Sequence, residues 1–279
     1  MQLSELLDNI LAYFRYDPQT PMMFNTGVFL YTFLVFLGIY TMLAKRKTLR
    51  VLYVTAFSLF FYYKASGWYF LLLVLSTFID YLLGLLIYLY HLDEVPVKDM
   101  RVGKKKETVI VDLETLTADY PHRSNRPWMT AIRQVFFDLV GLTLLWIDML
   151  TSRLIADHRP ERKRKLFLIL SMVANLGLLA YFKYSNFFIQ TINAFMAEPL
   201  AFTNIFLPVG ISFFTFQTMS YTIDIYRGKL EPVSNILDFG FYVSFFPQLV
   251  AGPIVRARDF LPQIRDEIHI TQEELGQAL

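Results

Sequence analysis

The stretch GWYFLLLVLSTFIDYLLGLLIYLY, residues 67–90, decides the fold. It holds no basic residue and a single acid, Asp80. At about 1.5 Å per residue it is long enough to cross a hydrocarbon core of roughly 30 Å. A helix apolar on every face must be buried in protein or in lipid. Composition selects lipid: of 279 residues, 55% are hydrophobic, 17% aromatic and only 18% charged, with a mean hydropathy of +0.40, whereas soluble domains carry roughly 25% charged residues.

Toward the N-terminus, residues 51–63 are short for a span and read as the partner of 67–90 in a tight hairpin turning at 64–67. Residues 22–43 form a further span. Lys45, Arg46, Lys47 and Arg50 follow it at once, and the positive-inside rule puts that end in the cytoplasm and the N-terminus outside. Leu3, Leu6, Leu7, Ile10, Leu11 and Phe14 recur at helical spacing, so 1–21 reads as an amphipathic interfacial helix closed by Pro18 and Pro21. It lacks the basic leader of a cleavable signal.

Toward the C-terminus the charge is concentrated: 14 of the 26 Lys and Arg residues lie between Lys98 and Lys165. Residues 91–165 read as a charged cytoplasmic loop, with a short strand at TVIVDL (108–113). An interfacial or re-entrant helix over 135–150 carries Asp138 and Asp148 and has basic flanks on both sides. Residues 166–182 cross outward, 184–196 form a second aromatic helix, and 205–226 return to Arg227 and Lys229. The apolar stretch 237–255 contains Pro247, Gly252 and Pro253, breakers that preclude a regular spanning helix over its second half. Broken backbone at membrane depth is tolerated where protein or water satisfies it, so this stretch is expected to line a cavity. Residues 257–279 are a polar linker in which Thr271 and Glu274 announce a further helix; a helix opened so close to Leu279 suggests an incomplete chain. The fold class is an all-α polytopic membrane protein with about five transmembrane helices plus re-entrant and interfacial helices.

The formal net charge of +2 gives no cationic face for nucleic acid, and the absence of cysteine excludes thiol chemistry and Cys-ligated metal. No P-loop, H-E-x-x-H or G-x-S-x-G pattern occurs, and no metal site is expected. Four blocks carry more information: NLGLLAYFKYSNF (175–187), LPVGISFFTFQ (207–217), DIYRG (224–228) and SFFPQLVAGPIVR (244–256). In order and spacing they resemble the membrane-bound O-acyltransferase (MBOAT) family, most closely its alginate-acetylating branch, with 55–84 matching the family's N-terminal hairpin more loosely. The resemblance covers 166–256 as core, within a family bowl that also takes in the helices of 22–90.

The resemblance implies a helical bowl with a tunnel through a bacterial inner membrane. There an acyl group from a cytoplasmic thioester such as acetyl-CoA meets an acceptor hydroxyl, with no cofactor bound permanently. It further implies O-acetylation of an exported polysaccharide and a separate extracytoplasmic SGNH-type acetyltransferase as partner, with membrane lipid around both. The family's catalytic histidine lies in a Trp- and Arg-rich motif that this chain does not contain. His91, His122, His158 and His269 sit in charged loops or the polar linker and read as solvated residues, so no catalytic residue is assigned.

Asp80 interrupts an apolar span, where a carboxylate costs at least about 2.5 kcal/mol on insertion scales; a hydrogen bond to a neighbouring helix competes with a proton or substrate role. Lys183 and Asn186 belong to the first block, where snorkelling into an aromatic belt suffices to explain the lysine and the resemblance adds a substrate-path role. Gln217, Gln248 and Arg256 flank the breaks and either line a tunnel or satisfy freed backbone, and Arg256 suits donor phosphates. Asp224 and Arg227, three apart, suit an intrahelical ion pair. Pro208, Gly210, Pro247, Gly252 and Pro253 read as structural. Two other classes compete: a transporter or export component using Asp80 and the broken helix, and a non-catalytic membrane scaffold.

Overall fold

The computed structural model describes residues 13–43, 45–92, 160–196, 200–201, 205–233 and 235–264, together with Thr143 and Ile147. Most of 1–21, the charged loop with its strand at 108–113, nearly all of 135–150, and the helix opening at Thr271 lie outside these residues. Every regular element among the described residues is helical: α1 (Gly27–Met42), α2 (Lys47–Ser66), α3 (Phe70–Leu92), α4 (Pro160–Leu179), α5 (Ser185–Asn193), α6 (Ile211–Tyr226), α7 (Ile236–Ser244), α8 (Phe246–Ala251) and α9 (Ala257–Phe260), with short 3-10 turns at Gly67–Tyr69 and Pro262–Ile264.

Two helical runs are long and apolar enough to cross a membrane: Lys47–His91, of 45 residues, and Pro160–Asn193, of 34. Gly27–Met42 is apolar but shorter. Large apolar side chains are exposed along these helices, including Tyr31 at 73% exposure, Met42 at 84% and Val173 at 63%. Exposed apolar side chains along apolar helices suit contact with lipid or with further protein.

Several boundaries differ from those read off the sequence. The short stretch 51–63 is the middle of a 20-residue helix that starts at Lys47, because Lys47 and Arg50 extend it as readily as apolar residues do. The chain turns at Gly67, whose φ of 62° suits glycine. Residues 184–196 are not a separate helix. A single π turn at Ala180–Tyr184 carries α4 directly into α5, a local widening of the kind seen as π-bulges inside longer helices.

The central packing unit is α3, α4 and α6. Tyr90 meets Phe167 and Tyr69 meets Phe182, so α3 and α4 run antiparallel, and the Asn175–Thr218 and Ser171–Thr222 contacts set α6 antiparallel to α4. Close approach of α3 and α6 depends on Gly84, where a Cβ would stand 2.9 Å from the ring of Tyr221. That ring cannot yield, since Tyr221 is fully buried and its hydroxyl accepts from the Val233 amide at 3.1 Å. A second cluster joins α1, α2 and α8 through Phe36, Phe57, Phe61 and Phe246, with Phe36 and Phe57 centroids 4.2 Å apart.

The DIYRG block is a helix stop. Gly228 adopts φ 67°, its amide donates to the Ile225 carbonyl, and the Lys229 amide donates to the Asp224 carbonyl, both at 2.9 Å. This is the Schellman arrangement, which satisfies carbonyls that a helix end leaves without partners. The ion pair expected between Asp224 and Arg227 is not formed. Asp224 is turned into the protein and Arg227, at the cap position, is exposed. Spacing of three residues puts two side chains within reach of each other only when both lie on the same side of the interface.

Candidate functional site

The deepest polar feature is built around Asp80 on α3, which is completely buried. Asn175 on α4 donates its amide to both carboxylate oxygens, at 2.9 and 2.8 Å, and Ser171 one turn earlier donates its hydroxyl at 2.7 Å. Asn175 is held in turn: its side-chain oxygen accepts from Ser76 at 3.3 Å and Thr218 at 3.2 Å. Thr222 lies 3.2 Å from Ser171, hydroxyl to hydroxyl. All six residues are buried. Their hydrogen bonds converge on the Asp80 carboxyl group.

Three helices thus meet on one acid, and the sequence positions follow from helical geometry. Ser76 and Asp80, Ser171 and Asn175, and Thr218 and Thr222 are each four apart, which stacks both members of each pair on one helix face. The sequence reading singled out Asp80 and missed the other five. The readable signal was this repeated spacing of small polar residues inside apolar spans.

Gln217 occupies a different face of α6. It is buried, and its amide donates to the Tyr242 carbonyl of α7 at 2.6 Å, while the Tyr242 hydroxyl donates to the Val255 carbonyl at 2.9 Å. The helix breaks at Phe245 and restarts as α8, with Pro247 in the first turn, where a missing amide costs nothing. The Phe246 amide donates to the Ser58 hydroxyl of α2 at 3.3 Å, and the buried Gln248 amide donates to the Pro253 carbonyl at 3.4 Å. Gly210, at φ 74°, opens α6 directly against α8: a Cβ there would lie 2.7 Å from the Leu249 carbonyl oxygen. Pro208 is buried beside it, and Gly252 packs on Gln248.

The other sequence candidates lie at the surface of the described residues. Lys183 is exposed on the π turn, with its ammonium 3.3 Å from the Ser212 hydroxyl and 5.6 Å from the Tyr184 ring centroid. Asn186 is exposed at the start of α5. Arg256 is exposed at the cap of α9, where its carbonyl accepts from the Asp259 and Phe260 amides. The structure therefore groups Gln217 and Gln248 around the helix break, sets Asp80 in the three-helix junction, and leaves Lys183, Asn186 and Arg256 outside both.

Two basic residues at the end of the stretch read as a charged cytoplasmic loop are part of a helix instead. Lys163 and Arg164 are buried in the first turn of α4. Lys163 donates to the Tyr90 hydroxyl at 2.9 Å, and Arg164 donates to the Tyr226 carbonyl at 2.6 Å. His91 is not a loop residue either: it belongs to the last turn of α3 and lies half-buried beside Gly228. The remaining three histidines lie outside the described residues. Among the described residues no cluster of His, Asp and Glu could hold a metal ion.

The long apolar helices, the buried polar three-helix junction and the broken helix held by its neighbours among the described residues are consistent with the class of helical membrane proteins. Comparison with known proteins gives the particular kind: the chain is similar to membrane O-acetyltransferases of the MBOAT type. It is 38% identical over 136 residues to the probable alginate O-acetylase AlgI of Pseudomonas syringae pv. tomato, a match covering 47% of this chain and 26% of that protein. The probable alginate O-acetylase AlgI of Azotobacter vinelandii is 44% identical over 137 residues, 48% of this chain and 27% of that protein. The peptidoglycan O-acetyltransferase of Helicobacter pylori is 34% identical over 137 residues, 40% and 26% respectively. The chain thus spans about a quarter of the length of these relatives. No family model and no solved structure matches it.

Proposed function

We propose that this chain forms part of a membrane O-acyltransferase that O-acetylates an exported polysaccharide of the alginate kind. The observation that carries this reading is the similarity to proteins named as alginate O-acetylases and as a peptidoglycan O-acetyltransferase, together with the four motif blocks. In this proposal about five helices cross a bacterial inner membrane, with the N-terminus outside and the basic loops in the cytoplasm. Acetyl-CoA or another acyl thioester donates the acyl group from the cytoplasmic side. A separate extracytoplasmic acetyltransferase of the SGNH type receives it or completes the transfer.

The chemistry requires a general base at the acceptor hydroxyl and donors for the tetrahedral oxyanion in a water-restricted site. None of the four histidines of this chain is assigned that role, and the catalytic histidine is supplied by a Trp- and Arg-rich segment that these residues do not contain. Gln217, Gln248 and the backbone of the broken helix are proposed to shape the tunnel wall. Asp80 with Asn175 is proposed to hold the three helices around it.

The test uses inverted membrane vesicles, radiolabelled acetyl-CoA and an alginate acceptor. With alginate enclosed in the vesicle lumen, acetyl transfer is expected when the chain is co-expressed with a histidine-bearing C-terminal segment of an alginate O-acetylase and an extracytoplasmic SGNH-type acetyltransferase, and not when that segment is left out. Robust transfer by the chain alone overturns the assignment of catalysis elsewhere. Substrate flux in vesicles that is indifferent to acyl donor favours an export component instead.

A further inference from the structure

Five helix ends gather at one end of the bundle. The Arg50 guanidinium lies 5.9 Å from the centroid of the Tyr40 ring, which brings the start of α2 to the end of α1. Lys163, in the first turn of α4, lies 4.9 Å from the ring of Tyr90 at the end of α3, and Arg164 lies 4.9 Å from the ring of Tyr226, the last residue of α6. The two groups of ends share one side because α3 folds back beside α2. Phe239 meets Tyr81 on α3, while Phe246, seven residues on, meets Phe57 on α2, and seven residues reach at most about 25 Å.

The exposed charge at this end is mostly positive. Lys45 and Arg46 lie between α1 and α2, Lys165 follows the first turn of α4, and Arg227 and Lys229 flank the stop of α6; all five are exposed, against the exposed acids Glu161 and Glu231. The opposite end of the described residues exposes Arg15 and Lys183 against Asp17. Large apolar side chains border the cations about one helical turn further into the bundle. Met42 at 84% exposure and Leu49 at 39% flank Lys45 and Arg46, and Ile169 at 48% stands four residues beyond Lys165.

We propose that this end binds anionic phospholipid, with the headgroup phosphates on Lys45, Arg46, Lys165, Arg227 and Lys229 and the acyl chains against the apolar side chains beside them. Lysine and arginine donate charge-assisted hydrogen bonds to phosphate oxygens. A soluble phosphate compound would also meet these cations, but it has no use for the apolar border. The cations are also divided among three separate helix ends, which suits several lipids around the rim better than one ligand in a cavity. Attraction of basic residues beside a membrane span to anionic lipid is worth roughly fivefold in affinity per cation. The inference needs the helices to lie in a membrane and does not depend on the acyltransferase reading.

Native mass spectrometry of the full chain released from neutral detergent tests it. The chain is titrated with phosphatidylglycerol or with phosphatidylcholine of the same acyl chains. Phosphatidylglycerol is expected to bind at least roughly fivefold more tightly, the worth of one cation; equal affinity for the two lipids overturns the proposal, whatever the variants do. K45Q/R46Q and R227Q/K229Q are each expected to retain fewer tightly bound phosphatidylglycerol molecules with phosphatidylcholine binding unchanged, whereas R15Q, at the opposite end, keeps the full number. A preference that survives the loss of all four charges, or that R15Q reduces equally, overturns the assignment to this end. Pyrophosphate at matched ionic strength is expected to leave the bound lipid in place, and displacement by it overturns the lipid reading in favour of a soluble phosphate ligand.

Discussion

Asn175 grips Asp80 with one amide nitrogen placed 2.9 and 2.8 Å from the two carboxylate oxygens. The asparagine is itself oriented by Ser76 and Thr218, so one pair of side chains ties α3, α4 and α6 together. The junction follows from a single cost: a carboxylate within an apolar span is tolerated only when its lone pairs are filled.

Asn175→Ala is therefore expected to be among the most damaging single substitutions. It strips two hydrogen bonds from a buried acid, a loss of about 1–3 kcal/mol for a buried polar group left without its partner. Thermal unfolding in detergent measures it. D80N in the Asn175→Ala background should recover part of the loss, because the group left buried is then uncharged. Absence of any recovery would show that volume and not charge dominates the site.

Gly84→Ala is expected to cost about 1–3 kcal/mol, the usual penalty of overpacking a filled interior. The added methyl would meet Tyr221, which is anchored by Val233. Y221F removes that anchor, so the double variant should lose less than the sum of the single ones. A double-variant cycle by chemical denaturation in micelles reads the coupling.

Lys64 straps the N-terminal segment to the end of α2. Its ammonium donates to the carbonyls of Tyr13 at 2.9 Å and Arg15 at 2.6 Å, and the Met22 amide donates to the Lys64 carbonyl at 3.1 Å. K64M keeps the aliphatic stem and loses both charged hydrogen bonds. Tryptic cleavage after Arg15 should accelerate markedly in this variant, and an unchanged cleavage rate would mean that ring packing of Tyr16 on Tyr63 holds the segment unaided.

The turn at 17–20 should respond to acid. The Asp17 carboxylate accepts from the Gln19 amide at 2.9 Å and the Thr20 hydroxyl at 2.8 Å, and these bonds hold its carboxyl below the usual carboxylate range. A depressed value means that the turn is favoured above the ordinary carboxylate pKa and loses that support as pH falls through the lowered one. Amide exchange at Gln19, corrected for intrinsic rate, is expected to lose protection only in that acidic window. D17N should remove the pH dependence.

Legibility in the sequence varied with the kind of feature. The long apolar run 67–90, the breakers at Pro247, Gly252 and Pro253, and the four blocks could be read directly, because hydropathy, proline chemistry and motif order are local properties. Helix ends were less legible, as Lys47 and the π turn at Ala180–Tyr184 show. Basic and acidic residues can continue a helix, so charge marks a change of environment and not a boundary of secondary structure. The Asp80 network was half legible: the acid stood out, while serines, threonines and an asparagine in apolar helices are common enough to pass unnoticed until their faces are known to meet.

The sequence by itself determined that the chain carries apolar helices long enough to cross a membrane, and which relatives it resembles. Those properties depend on the composition of continuous segments and on the order of motifs, which folding does not change. Only the tertiary structure decided that Asp80 is held by Asn175 and Ser171, that Lys163 and Arg164 are buried, that Asp224 and Arg227 stay apart, and that Ser58 completes the hydrogen bonding of a broken helix. Each of these depends on which helix faces are brought together across 50 to nearly 200 positions of chain, as in the Ser171–Thr222 contact at a separation of 51 and the Phe246–Ser58 contact at 188. Helical periodicity assigns a residue to a face, but only packing supplies the partner that the face meets.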